Sequence, residues 1–154
     1  MRIRKLKEGD IGKIVAMIHD VMGPGDAKKA LQDIRISLDK HTYRFEEFYV
    51  VEINGEIVAA GGFWSLKYDP NIARLDWFVV PKKHQRHGFG KMLLNFIVNE
   101  AKKRKLKLIL AEVSDGKAYA TARQFLLRNG FEKKSLIRNY WEDGSGVICF
   151  IRRI

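Results

Sequence analysis

The stretch Leu106–Val113 constrains this chain most. Apart from Lys107 and Glu112 it is apolar at every position, and it does not alternate. A short run of that kind reads as a strand covered on both faces, central in its sheet. Such a strand needs packing layers above and below it, and the rest of the chain supplies amphipathic helices for both.

Before it, Ile3–Leu6 reads as a short strand. Asp10 is placed to cap a helix whose apolar positions Ile11, Ile14, Val15, Ile18 and Met22 keep helical spacing. Gly23-Pro24-Gly25 ends that helix. Asp26 is placed to cap a second, with Ala27, Ala30, Leu31, Ile34 and Leu38 on one face. Phe48–Ile53 and Ile57–Leu66 are strands joined by Asn54-Gly55, a strong hairpin signal. Ala73–Val80 is a further apolar strand ended by Pro81. Lys82–Phe89 is a polar loop, and Gly90–Arg104 a helix with Phe89, Leu93, Phe96, Ile97 and Ala101 inward. After the central strand, Lys117–Arg128 is a helix with Ala118, Ala122, Phe125 and Leu126 inward, closed by Asn129-Gly130. Phe131–Tyr140 and Val147–Arg152 are the last strands. The order β-α-α-β-β-β-α-β-α-β-β has hairpins in its first half and helical crossovers in its second. It predicts an α+β (α/β mixed) fold, a mixed central sheet with helices on both faces.

With 154 residues, 46% of them hydrophobic, the chain is expected to be one domain spanning 1–154. Met1-Arg2-Ile3-Arg4-Lys5 opens no signal-peptide core and no apolar run approaches a membrane span, so the expectation is a soluble, cytoplasmic protein with no membrane partner. The single Cys149 excludes an internal disulfide and fits a reducing compartment. His19, His41, His84 and His87 are not spaced as a metal site, so no metal is expected. The net charge of +11 suits an anionic partner, although most of it reads as a lysine-rich solvated surface. The run Lys102 to Lys107 carries only leucine among its charges, without the aromatics that stack on bases, which makes nucleic acid the weakest partner reading.

The segment from Val79 to Lys91 carries the chemistry. It joins an apolar strand to a long helix through Gln85, Arg86, His87, Gly88, Phe89 and Gly90. Gly88 and Gly90 let the backbone turn sharply and approach a ligand. The free N–H groups of the new helix then form an anion site suited to a pyrophosphate. Two familiar phosphate loops do not fit. Gly90-Lys91 is followed by Met92, not Ser or Thr, and position 93 is Leu where a dinucleotide fingerprint needs a third glycine.

Gln85-x-x-Gly88-x-Gly90 resembles the coenzyme A signature of the GNAT superfamily of acetyl-CoA-dependent acyltransferases, (Arg/Gln)-x-x-Gly-x-(Gly/Ala). Ala122-Arg123-Gln124-Phe125 running into Asn129-Gly130-Phe131 resembles that family's late helix. Tyr140-Trp141-x-Asp143-Gly144 is similar to the hairpin of some members. The motif-level similarity covers the second half of the chain. The resemblance implies the GNAT acyl-CoA N-acyltransferase fold, with Ala73–Val80 and Leu106–Val113 as parallel central strands that splay apart. It implies a pantetheine arm paired with backbone near Phe78, Val79 and Val80. It also implies a pyrophosphate on the amides of Arg86, His87, Gly88, Phe89, Gly90 and Lys91, with Tyr119 and Arg123 beside the cofactor. Acetyl-CoA is the implied acyl donor and an amine the implied acceptor: a small-molecule amine, a protein N-terminus or a lysine.

Acetyl transfer needs a base for the amine, an oxyanion donor and an acid for the thiolate. Glu112 is the leading base, the one acidic residue in the central strand, with burial expected to raise its pKa. Asp76 is second. At the position where many family members carry the tyrosine acid, four residues before the Gly of Gly-Phe, this chain has Leu126. Tyr119 and Tyr140 are then the candidate donors, Tyr119 first because it shares the late helix. The rivals to an N-acetyltransferase are a non-catalytic acyl-CoA-binding domain, suggested by Leu126, and a basic nucleic-acid-binding protein. The acceptor, the acyl-chain length and the oligomeric state stay open, a homodimer included.

Overall fold

The computed structural model describes residues 1–37, 45–65, 68 and 71–154. His41, Leu38 and Leu66 lie outside the described residues. The strands are β1 (Arg2–Lys5), β2 (Phe45–Ile53), β3 (Glu56–Ser65), β4 (Ile72–Val79), β5 (Leu108–Ser114), β6 (Glu132–Ile137) and β7 (Val147–Arg153). The helices are α1 (Ile11–Met22), α2 (Pro24–Ser37), α3 (Phe89–Lys103) and α4 (Ala120–Arg128), with 3-10 turns at Glu8–Asp10, Lys82–His84 and Lys117–Tyr119. The described strands form one sheet in the order β1-β2-β3-β4-β5-β7-β6, in which β4 and β5 are parallel and every other pair is antiparallel. Among the described residues, no helix is long and apolar enough to cross a membrane.

Helices cover both faces, as the element order predicts. Leu93, Leu94, Ile97 and Ala101 of α3 and Leu126 of α4 pack with Phe63, Ile109, Ala111 and Phe150 of the sheet. Ile14 and Ile18 of α1 and Ala30 and Ile34 of α2 pack with Val50, Ala60 and Val79 on the other side. Burying each large side chain of these layers contributes about 1.5–3 kcal/mol before entropy is counted. The Asn54-Gly55 turn forms as its sequence predicts. Ile53 pairs with Glu56 and both turn residues have positive φ, 49° and 83°, the geometry that matches strand twist.

Several local expectations are corrected. Asp10 does not cap α1: its carboxylate accepts from the Lys7 amide at 2.9 Å and from the Arg4 guanidinium at 2.6 and 3.0 Å. An arginine fork on the neighbouring strand outcompetes a helix amide for those oxygens. Asp26 does not begin α2, because Pro24 does; its fixed φ and missing N–H suit a first helical position after Gly23. Ala118 and Ala122 are exposed rather than inward, since the expected first turn of α4 is a separate 3-10 turn and rotates them out. Leu106 precedes β5, and β6 ends at Ile137 rather than Tyr140.

The feature that shapes the site is in β4. Ala60 pairs with Val79 and Gly62 with Asp76, so β4 carries one residue more than β3 across that interval. The extra residue is at Trp77, whose φ is +34°, a strained value for a bulky side chain. The Trp77 indole donates to Asp33 of α2 at 3.0 Å, which holds the bulge. Opposite it, a Cβ on Gly61 would stand 2.8 Å from the Phe78 ring, so glycine admits the close approach.

Candidate active site

A bulge bends its strand, and here the bend opens the sheet. β4 and β5 pair only through Ile72–Leu108, Ala73–Ile109 and Arg74–Leu110. Past that rung β4 continues to Val79 and β5 to Ser114 without pairing among the described residues, which leaves a gap between parallel strands. Phe78 and Phe125 stack beside it, ring centroids 5.6 Å apart.

The loop from Val80 to Phe89 closes the end of β4. The Gln85 side chain donates to the Val80 carbonyl at 3.0 Å and folds the loop back on its strand. Lys83 (2.5 Å) and His84 (3.0 Å) reach Glu56, and Lys83, then His84, hold the Glu56 carboxyl below its ordinary pKa. Arg86 has φ +67° and Gly88 φ +83°, the alternation that turns successive amides into a concavity. Gly88 caps α3 without a side-chain bond, so the first amides of the helix, at Phe89, Gly90 and Lys91, have no partner within it. The two glycines have different reasons to be there. A Cβ on Gly88 would meet nothing within 4 Å, so its constraint is backbone conformation. A Cβ on Gly90 would stand 3.3 Å from Val80 and 3.4 Å from the Phe125 ring, so its constraint is packing. Arg86, His87 and Lys91 are exposed around this donor set, and the His87 ring stacks on Phe89 at 5.9 Å.

The proton-handling candidates fall on or beside the sheet face that looks away from α3. Ile109 and Ala111 point into the α3 layer, so Leu110 and Glu112 point the other way. By the same alternation Arg74 and Asp76 share that face across the gap, Asp76 half-buried. Glu112, paired with Cys149, is exposed. The expectation that Glu112 is buried is corrected: the helical layer does not extend over this end of β5. Leu126 is 3% exposed and belongs to the core between sheet and α3.

The two tyrosines stand differently. The Tyr119 hydroxyl donates to the Asp26 carboxylate, and burial together with that carboxylate pushes its pKa well above the ordinary phenol value. Tyr140 is exposed, edge-on to Trp141 at 4.8 Å. Arg123 directs its guanidinium to the carbonyls of Ser114 (2.6 Å) and Gly116 (2.8 Å), which clips the turn after β5. Sequence reasoning reads Asp26 only as a helix cap and passes over Trp141 as a partner of Lys29, whose ammonium lies 5.6 Å from the Trp141 ring. No sequence signal links Asp26 to a residue 93 positions away. Among the described residues no group of His, Cys, Asp and Glu gathers as a metal site.

A family model described as an acetyltransferase (GNAT) domain matches residues 44–133. No protein of curated function matches the chain by sequence. Among solved structures, a GNAT-family protein from Desulfovibrio desulfuricans is similar at a TM-score of 0.88 and 18% identity, covering 99% of this chain and 98% of that one. The ribosomal-protein-S18-alanine N-acetyltransferase from Escherichia coli is similar at 0.77 and 22%, covering 99% and 93%. An aminoglycoside 6'-N-acetyltransferase complexed with coenzyme A is similar at 0.79 and 12%, covering 99% and 97%. With the matched segment spanning more than half of the chain, the gap between β4 and β5 and the donor loop beside it belong to an acyltransferase: the chain is a member of the GNAT acetyltransferase family.

Proposed function

We propose that this chain, as a single domain spanning 1–154 and working in the cytoplasm, transfers the acetyl group of acetyl-CoA directly to an amine. The observation that carries this reading is the loss of pairing between β4 and β5 after Arg74–Leu110, with the unpartnered amides of Phe89, Gly90 and Lys91 close to the end of β4. The residues present fit coenzyme A. A strand that has lost its neighbour offers backbone groups at Phe78, Val79 and Val80 to the amides of pantetheine. The concavity from Arg86 to Lys91, with the α3 dipole behind it, suits a pyrophosphate. Gln85 acts through the loop it folds and Arg123 through the turn it clips; neither needs to touch the cofactor.

In this reading the acetyl group lies at the open end of the gap, near Glu112 and Asp76. The acceptor nitrogen attacks the thioester carbon, the C–S bond breaks, and the nitrogen loses a proton to Glu112, directly or through one water. Exposure suits that role, because the proton must pass on to solvent. Asp76, across the gap, is the second candidate. The thiolate, a better leaving group than an amine, takes its proton from water, since the Tyr119 proton is engaged by Asp26 and its phenol holds it tightly.

A panel of small amines and peptide N-termini incubated with acetyl-CoA, with release of free thiol as the readout, tests the function. Acceptor-dependent thiol release supports it. Binding of CoA with no release for any amine would contradict it.

A further inference from the structure

The Tyr119–Asp26 hydrogen bond joins α2, on one face of the sheet, to the turn that follows β5 beside the gap. Among the described residues, Asp26 has this neutral phenol as its partner and no lysine or arginine. Other carboxylates of this chain, which has 29 Lys and Arg against 18 Asp and Glu, take an arginine instead. Asp10 and Glu52 are paired with Arg4, and Glu47 and Glu100 with Arg104. Lys29 lies one turn further along α2, at a spacing that could neutralise Asp26, but it is turned over the Trp141 ring. Asp26 is half-buried, so solvent does not fully screen its charge. An ammonium or guanidinium makes a shorter and stronger bond to a carboxylate than a neutral hydroxyl does. The site beside the gap therefore holds a carboxylate matched with a weaker partner than it could have.

We infer that Asp26 is a specificity-determining residue for the acceptor: it receives a positive charge that the acceptor carries apart from its reacting amine, in the place now held by the Tyr119 hydroxyl. This rests on the acetyl-transfer reading above. The charge at Asp26 is not the reacting nitrogen, because a carboxylate bonded to an ammonium keeps it protonated and an attacking amine must be neutral. The two carboxylates divide the work. Glu112, on the strand that leads to Tyr119, takes the proton, and Asp26 retains a cation. The acceptor is then a primary amine with a second cationic group, either a small polyamine or a peptide N-terminus followed by a basic residue.

Two matched pairs of acceptors test this: putrescine against n-butylamine, and alanyl-arginine amide against alanyl-leucine amide. The charged member of at least one pair is expected to show kcat/KM about tenfold higher or more, and Asp26→Asn to bring that ratio to within about twofold of one. A preference in the diamine pair alone identifies a polyamine, and in the peptide pair alone a basic N-terminus. Tyr119→Phe removes the competing hydroxyl and keeps the carboxylate, so the preference must survive it; this variant also carries the test if the Asn variant does not fold. Equal rates within both pairs overturn the inference, as does a preference that survives Asp26→Asn or is lost in Tyr119→Phe. No turnover of any of the four by a protein whose melting temperature responds to CoA overturns it too. A wild-type protein with no response to CoA would instead sink the acetyl-transfer reading itself.

Discussion

Arg74 pairs with Leu110, and among the described residues no rung of the β4–β5 ladder follows it. The cause lies three residues on, where Trp77 adds a bulge and Asp33 anchors its indole. A continuous ladder would have no slot for a pantetheine arm. The same bulge keeps Phe78 on the α3 side, against Phe125, and Val79 on the α1/α2 side, so the strand remains packed on both faces while one edge is released.

Gly88 is held by its backbone, not by space. Replacing it with valine puts a β-branched residue at φ +83° and should lower stability by about 1–2 kcal/mol. The same strain distorts the amide concavity, so CoA affinity should fall by about tenfold or more. Urea denaturation and a CoA titration on the one variant check both effects. Unchanged affinity would remove Gly88 from the phosphate-binding loop.

Glu112→Gln should lower turnover at neutral pH by roughly two orders of magnitude, with the KM for acetyl-CoA little changed. The deficit should shrink at high pH, where more of the amine is already neutral. Pre-steady-state thiol release against pH measures this. A wild-type rate in the Gln variant would transfer the role to Asp76 or to solvent.

Acid should destabilise the fold through Asp10. Its pKa lies below the ordinary value because Arg4 bonds both carboxylate oxygens and the Lys7 amide adds a third bond. A carboxyl with a depressed folded pKa binds its proton more weakly in the native state. Its contribution is therefore complete above the unfolded value, about 3.9, and is lost as pH falls through the folded one. Asp10→Asn should be less stable at neutral pH and show a flatter decline below about pH 4. Urea midpoints from neutral to strongly acid pH for both proteins test the sign; parallel curves would remove Asp10 from the acid limb.

Much of the fold is legible in the sequence because it rests on local chemistry. Asn54-Gly55 can turn only one way, the α1 spacing has one buried face, and Gln85-x-x-Gly88-x-Gly90 announces a backbone built to meet an anion. What is not legible depends on distant partners. Asp10 and Asp26 both look like helix caps, yet Arg4 takes one and Tyr119 the other. Glu112 sits in an apolar strand but at its uncovered end, and strand composition cannot say where the helical layer stops. The bulge at Trp77 has no signature in Leu75-Asp76-Trp77-Phe78; it is set by the register against Gly61 and Gly62.

Calorimetric titration of CoA into the wild-type protein, paired with its thermal shift, tests the central claim most directly. The account predicts saturable heat and a melting temperature that rises with ligand concentration, because only the native state has the gap and the donor loop. No heat and no shift at millimolar CoA would contradict it.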